Sequence, residues 1–190
     1  MSILSCFRMP TPVKIIGRTS TITNSFVNGI LPPGRWPNEE ELSEALEILG
    51  LDADDLRCAY CGDAATEWDH LRPLVTRKRP TGFISEIANL VPACGKCNQS
   101  KGAREWQEWM MSSAPRSPAT RGIPDLEERV RRLERFVEWK RPTWVNFEKE
   151  VGDELWESHW KNLDRLVALM RECEDTARQM REVISNRLQA

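Results

Sequence analysis

The sequence predicts an α+β fold in which a small stapled core carries helical additions on both its N-terminal and C-terminal sides. Three observations point there. Four of the six cysteines form two C-x-x-C pairs, Cys58 with Cys61 in "CAYCG" and Cys94 with Cys97 in "CGKCN". Between the pairs lie short strand-like stretches and turn residues, and on either side the apolar residues recur at helical spacing. At 190 residues the chain can bury one substantial core with appendages. The pattern divides it into a 1–55 extension with an acidic helix, a 56–112 core, a 113–124 linker and a 125–190 helical region.

Up to Pro37 the sequence is mixed, with "PVKIIG" expected as a short strand and "LPPGRWP" as a loop stiffened by prolines. "PNEEELSEALEILG" predicts a helix: Asn38 can cap it and Glu41 stands three residues on, as in a capping box. Leu42, Leu46 and Leu49 keep helical spacing, and Gly50 stops it. The exposed face of that acidic helix should repel a polyanion. "EWDHLRPLV" is set for a strand that Pro73 helps to end, with Trp68 expected to bury one of its faces. "CNQSKGAREWQEWM" opens a helix that Gly102 weakens.

"SSAPRSPATRGIP" has the small residues and prolines of a linker. After it, "DLEERVRRLERFVEWK" aligns Leu126, Val130, Leu133 and Val137 on one stripe. A last helix from about Glu154 to Leu188 carries Trp156, Trp160, Leu163, Val167 and Met170 at 4-3 spacing, until Glu174 interrupts the stripe. These two helices can pack on the core, on each other or on a second copy, and periodicity does not choose. Trp106, Trp109, Trp156 and Trp160 fall at helical spacing and are expected to pack, as is His159 between two of them. Cys6 and Cys173 read as ordinary small apolar residues.

The overall balance, 27 Lys and Arg against 29 Asp and Glu, excludes a whole-molecule field that would hold polyanions. The local balance differs. From Leu71 to Arg104 the charged residues are Arg72, Arg77, Lys78, Arg79, Lys96, Lys101 and Arg104 against Glu86 alone, so any nucleic-acid surface belongs there. "MSILSCFRMP" lacks a continuous apolar run, and no later stretch is long enough to cross a bilayer, so the expectation is a cytoplasmic protein without a membrane partner.

In a reducing compartment, paired C-x-x-C thiols hold a metal more readily than they form disulfides. Four soft thiolates match a closed tetrahedral Zn²⁺ site. With every position filled by sulfur, such a zinc is structural and leaves no place for substrate. The interval between the pairs exceeds the ~15–20 residues of the simplest such pattern, so it must be a structured excursion. It contains Asp69 and His70, one of only two histidines in the chain.

"CAYCG", then "WDHLRPL", Gly82 and "ANLVPACGKCNQSK" resemble the HNH nuclease family, whose ββα-metal motif runs D-H-x-x-P, N-L-x-P and C-x-x-C-N-x-x-K. The likeness spans about Arg57 to Arg104. It implies a ββα-metal core in which His70 is the general base, Asp69 and Asn98 hold a catalytic divalent ion, and Asn89 braces the loop that orients His70. Asn98 stands where the family name has histidine, a replacement that recurs among members. A carboxylate and an amide carbonyl are hard oxygen ligands suited to Mg²⁺, with Mn²⁺ as substitute. Such an ion polarises a phosphate while an imidazole takes a proton from water. Adjacent strand residues point to opposite faces, so Asp69 and His70 can divide these tasks. Asn98 and Lys101 share a helix face, and Lys101 is expected on a DNA phosphate.

The expected function is therefore a metal-dependent DNA endonuclease of restriction or phage-defence type, leaving the 3′-hydroxyl and 5′-phosphate ends that the resemblance implies. A homodimer through the C-terminal stripe would supply two centres. Two alternatives stay open: a zinc-stapled DNA-binding module that does not cut, and an interaction adaptor built on the C-terminal helices.

Overall fold

The computed structural model describes residues 6–189 except Pro33. The first five residues of "MSILSCFRMP" and Pro33 of "LPPGRWP" thus lie outside the described residues. In chain order the helices are α1 (Thr19–Asn28), α2 (Glu39–Leu49), α3 (Gly95–Lys101), α4 (Trp106–Met111), α5 (Leu126–Trp139), α6 (Phe147–Val151) and α7 (Asp153–Gln189). The strands are β1 (Glu67–His70), β2 (Val75–Thr76), β3 (Arg79–Pro80) and β4 (Leu90–Ala93). Two compact units result, Gly29–Glu150 and the combination of Met1–Asn28 with Val151–Ala190.

In the first unit, β1 pairs antiparallel with β4, placing Glu67 opposite Ala93 and Asp69 opposite Val91. α3 follows β4 directly, so the paired strands β1 and β4 lead into a helix. Its core gathers the four paired cysteines with Tyr60, Leu71, Val91, Trp109, Leu133 and Phe136. Tyr60 meets Trp109 edge to face at 5.1 Å. α2 is built as its sequence predicts: the Asn38 side chain accepts from Glu41 N–H, the Glu41 side chain returns to Asn38 N–H, and Gly50 takes a left-handed φ of 64°. It packs on α5, which buries Leu133 and Phe136 and sends Arg129 Nη1 to Cys58 O at 3.2 Å.

Residues 113–124 are fastened to this core. Ser117 is buried and donates to Ser112 O at 2.7 Å, and Arg121 reaches Asp63 Oδ2 at 2.8 Å. After α5 the chain returns to the excursion: Val145 N–H donates to Gly82 O at 2.9 Å and Trp144 Nε1 to Thr81 O at 3.0 Å. Gly82, at φ 101°, lies so close to the indole that a Cβ there would fall 2.2 Å from Trp144 Nε1. Only glycine fits.

In the second unit, α1 packs along α7, with Thr23, Val27, Trp160, Leu163 and Val167 buried. His159 accepts a packing role: its ring lies 4.7 Å from Trp160 and its Nε2 3.1 Å from Phe26 O. No helix among the described residues is long and apolar enough to cross a membrane.

Three expectations are corrected. "PVKIIG" is no strand; Ile16–Arg18 is a 3-10 turn running into α1, and Ile15 N–H donates to Glu174 Oε2 at 2.5 Å. A strand needs a ladder partner, and here a carboxylate takes the backbone donor; this is also the use of the glutamate that breaks the α7 stripe. The helix opened by "CNQSK" stops where Gly102 adopts φ 53° and ψ −127°, and a separate α4 begins at Trp106. Trp68 is 37% exposed rather than buried, because the covered face of β1 is the one carrying Asp69.

Candidate functional site

The four sulfurs of Cys58, Cys61, Cys94 and Cys97 lie within 4.8 Å of one another and all four residues are buried. Cys61 Sγ and Cys94 Sγ are 3.7 Å apart, close to the ~3.8 Å edge of a tetrahedron with 2.3 Å zinc–sulfur bonds and far beyond a disulfide bond. The knuckle geometry comes from the backbone. Gly62 N–H donates to Cys58 O at 2.9 Å, and Cys97 N–H to Cys94 O at 3.0 Å. Arg121 Nη1 lies 3.6 Å from Cys97 Sγ, adding a cation beside the thiolates. The donor set fits a structural zinc ion, and the cluster ties the turn before β1 to the start of α3.

Asp69 is 5% exposed and Asn89 wholly buried, while His70 is half-buried. Tyr60 Oη donates to Asp69 Oδ2 at 2.6 Å. Burial and the Asp69 charge push the tyrosine pKa well above its ordinary value, so Tyr60 keeps its proton as a donor. The same carboxylate oxygen meets Lys101 Nζ at 3.1 Å, and that ammonium also donates to His70 O at 2.7 Å. Lys101 is therefore corrected as a phosphate contact: its side chain has no exposed surface and is spent on β1. Helical spacing gave its face, but the face looks inward.

His70 Nε2 lies 2.7 Å from Ser85 Oγ. Burial lowers the histidine pKa below its usual value, and Lys101 lowers it further against the opposing effect of Asp69. Burial and Lys101 both favour the neutral ring. Asn89 clamps the turn after β1: its Oδ1 accepts from Arg72 N–H at 2.8 Å and its Nδ2 donates to Arg72 O at 3.0 Å. Asn98, on α3, donates through Nδ2 to Glu67 Oε2 at 3.0 Å. Glu67 and Asp69 are two apart on β1 and share a face.

Thus β1 and the turn after it join Asp69, His70 and Asn89, and α3 brings Asn98 to the same strand through Glu67. Of the expected basic surface, Arg77, Lys78, Arg79, Lys96 and Arg104 are exposed, and Arg72 is half-buried with its guanidinium 5.5 Å from the Phe83 ring centre. Arg72 Nη1 is buried without a hydrogen-bond partner among the described residues.

Sequence reasoning missed Tyr60, Ser85, Glu67 and Arg121. Tyr60 stood in view between two cysteines, and Glu67 could have been found from its two-residue spacing to Asp69 on a strand. Nothing local marks Ser85 or Arg121, because each reaches its partner only after the chain folds back.

Residues 58–104 match the family model described as HNH endonuclease. No curated protein and no solved structure matches the chain.

Proposed function

We propose that the chain, whose residues 58–104 match the HNH endonuclease family model, is a phosphodiester hydrolase, a metal-dependent DNA endonuclease with His70 as its general base. The observation that carries the reading is that the matched segment brings Asp69, His70, Asn89 and Asn98 onto or against β1 and the turn after it. A half-buried neutral imidazole is a competent base for water. With Nε2 directed at Ser85 Oγ, Nδ1 is the nitrogen left to accept the proton. Asn89 holds the turn that sets the ring's position.

The oxygens of Asp69 and Asn98 fit a hard divalent ion. Tyr60 and Lys101 engage Asp69 Oδ2, leaving Oδ1 as its donor, and the Asn98 amide presents its carbonyl oxygen. These oxygens would hold Mg²⁺ or Mn²⁺, whose charge would polarise the scissile phosphate and stabilise the departing oxygen. The four clustered cysteines would hold Zn²⁺ as the staple. The exposed cations, Lys96 and Arg104 among them, face the DNA backbone. The role is restriction or phage defence in the cytoplasm, with 3′-hydroxyl and 5′-phosphate ends, and residues 56–112 form the nuclease core.

Supercoiled plasmid incubated with the protein and Mg²⁺, Mn²⁺ or neither tests this directly. Metal-dependent strand breaks are expected, with His70→Ala slower by at least about a hundredfold and unchanged in zinc content. Equal cleavage by the variant would sink the role of His70. Sequencing the ends separates site-specific from indiscriminate cutting. The non-cutting DNA-binding module draws support from one feature, the Lys101 ammonium already paired with Asp69; it expects duplex binding with no breaks under any metal.

The homodimer is also part of the proposal, with its interface moved. Trp160, Leu163 and Val167 of the 4-3 stripe are buried within the chain. Before that stripe α7 exposes Leu155, and beyond it Leu169, Met180, Val183, Ile184 and Leu188. These offer the surface for a second copy.

A further inference from the structure

β2 and β3 form a hairpin with Val75 opposite Pro80 and Thr76 opposite Arg79, leaving Arg77 and Lys78 as a two-residue turn. Both have positive φ, 48° and 63°. That is the type I′ hairpin, whose central positions ordinarily hold Asn-Gly or a similar pair because an L-residue with a long side chain is strained there. This chain instead keeps two long cations in the strained positions and a third at Arg79. No acidic residue occurs from Leu71 to Ile84, and neither Arg77 nor Lys78 has an ion-pair partner among the described residues. The tip therefore combines backbone strain at both central positions with exposed cationic side chains.

The base of the hairpin is held firmly. Thr81 donates from N–H to Leu74 O at 3.0 Å and from Oγ1 to Pro73 O at 2.7 Å, and Trp144 Nε1 donates to Thr81 O. A pinned base with an exposed cationic tip suits a rigid ribbon, and a two-stranded ribbon is slim enough for the major groove of duplex DNA. Lys78 follows His70 by eight residues, so the tip lies within about 30 Å of the histidine even if the chain were extended, less than one turn of B-DNA at ~34 Å.

We propose that the β2–β3 hairpin is a DNA-docking ribbon, whose Arg77 and Lys78 grip duplex phosphates across a groove within one helical turn of the cleavage site. The proposal rests on the nuclease reading for the position of that site. The strain is retained because Asn-Gly would relax the turn and lose the two contacts.

The test compares the full-length wild type with Arg77→Asn/Lys78→Gly and with Arg77→Gln/Lys78→Gln. Binding of a fluorescent 30-base-pair duplex is followed over a salt series with no divalent ion added, and plasmid cleavage with Mg²⁺ is measured in parallel. Both variants should lower the slope of log affinity against log salt by about 1.8, the share of two phosphate contacts. Affinity at low salt should fall at least tenfold. Asn-Gly should also raise the thermal midpoint, whereas Gln-Gln, which keeps the strained turn, should not. If Asn-Gly proves unstable, the Gln-Gln slope decides alone. A wild-type slope in the Gln-Gln variant overturns the ribbon, even where the wild type cuts DNA. A lowered slope in a protein whose wild type never cuts supports the ribbon as a DNA contact and instead removes the nuclease reading.

Discussion

Lys101 and Asp69 form a buried ion pair whose members are both essentially inaccessible to water. Removing one member leaves the other charge uncompensated, so Lys101→Met should destabilise the fold by roughly 3–5 kcal/mol in a urea titration. Because the side chain faces inward, the same variant should leave the salt dependence of DNA binding unchanged. Both outcomes run opposite to those of a surface lysine on a phosphate. Tyr60→Phe deletes the other donor to Asp69 and should cost about 1.5–3 kcal/mol, the range for a hydrogen bond to a charged group. At this scale His70, Asp69, Asn89 and Asn98 could be singled out because they stand in a fixed order with the cysteine pairs, and the fold gathers them on or beside β1. Lys101 was legible as a residue and not as a direction: three-residue spacing from Asn98 defines a face, but only packing decides which face is buried.

The α2 helix was readable from end to end, since a capping box and a terminal glycine act through neighbours in sequence. What it binds to was not. Glu41 serves the cap and also receives Arg35 and Lys140, the latter from the far end of α5. The Arg35 hydrogen bond, then that of Lys140, holds its pKa at about 2 against an ordinary 4.5. A depressed carboxylate stabilises fully above its unfolded pKa and loses that contribution as pH falls through the folded one. The stability difference between wild type and Glu41→Gln should therefore be full at pH 7 and close as pH falls from about 4.5 towards 2. Thermal midpoints over that range check it. Gly82→Ala should destabilise as well, because its Cβ would meet Trp144 and its φ disfavours any side chain. The "PVKIIG" segment shows the converse. Apolar β-branched residues suit a strand, yet a strand exists only where a second edge offers hydrogen bonds, and Glu174 supplies the partner instead.

The molecule builds two compact units, one around the cysteine cluster and one from the chain's two ends. A zinc ion held by the four buried thiolates would be folding free energy for the first unit. Chelation should release one zinc per chain and expose the amides of residues 58–104 to hydrogen exchange. Amides of α7 near Leu163, which belong to the other unit's core, should stay protected. The exposed end of α7 gives the remaining test of assembly: sedimentation should show a dimer that Ile184→Glu dissociates, and a monomeric wild type at high concentration would remove the dimer from the proposal. The sequence by itself determined the mixed class, the four-cysteine staple, the Asp-His pair on a strand and the α2 and α5 helices, because each depends on residue type at short, regular spacing. Tertiary structure alone decided that Lys101 turns inward, that Ser85 and Tyr60 attend His70 and Asp69, that α5 joins the cysteine-cluster unit while α7 pairs with α1, and that the hairpin tip is strained. These depend on which distant surfaces meet, and burial and hydrogen-bond satisfaction settle that only once the whole chain has folded.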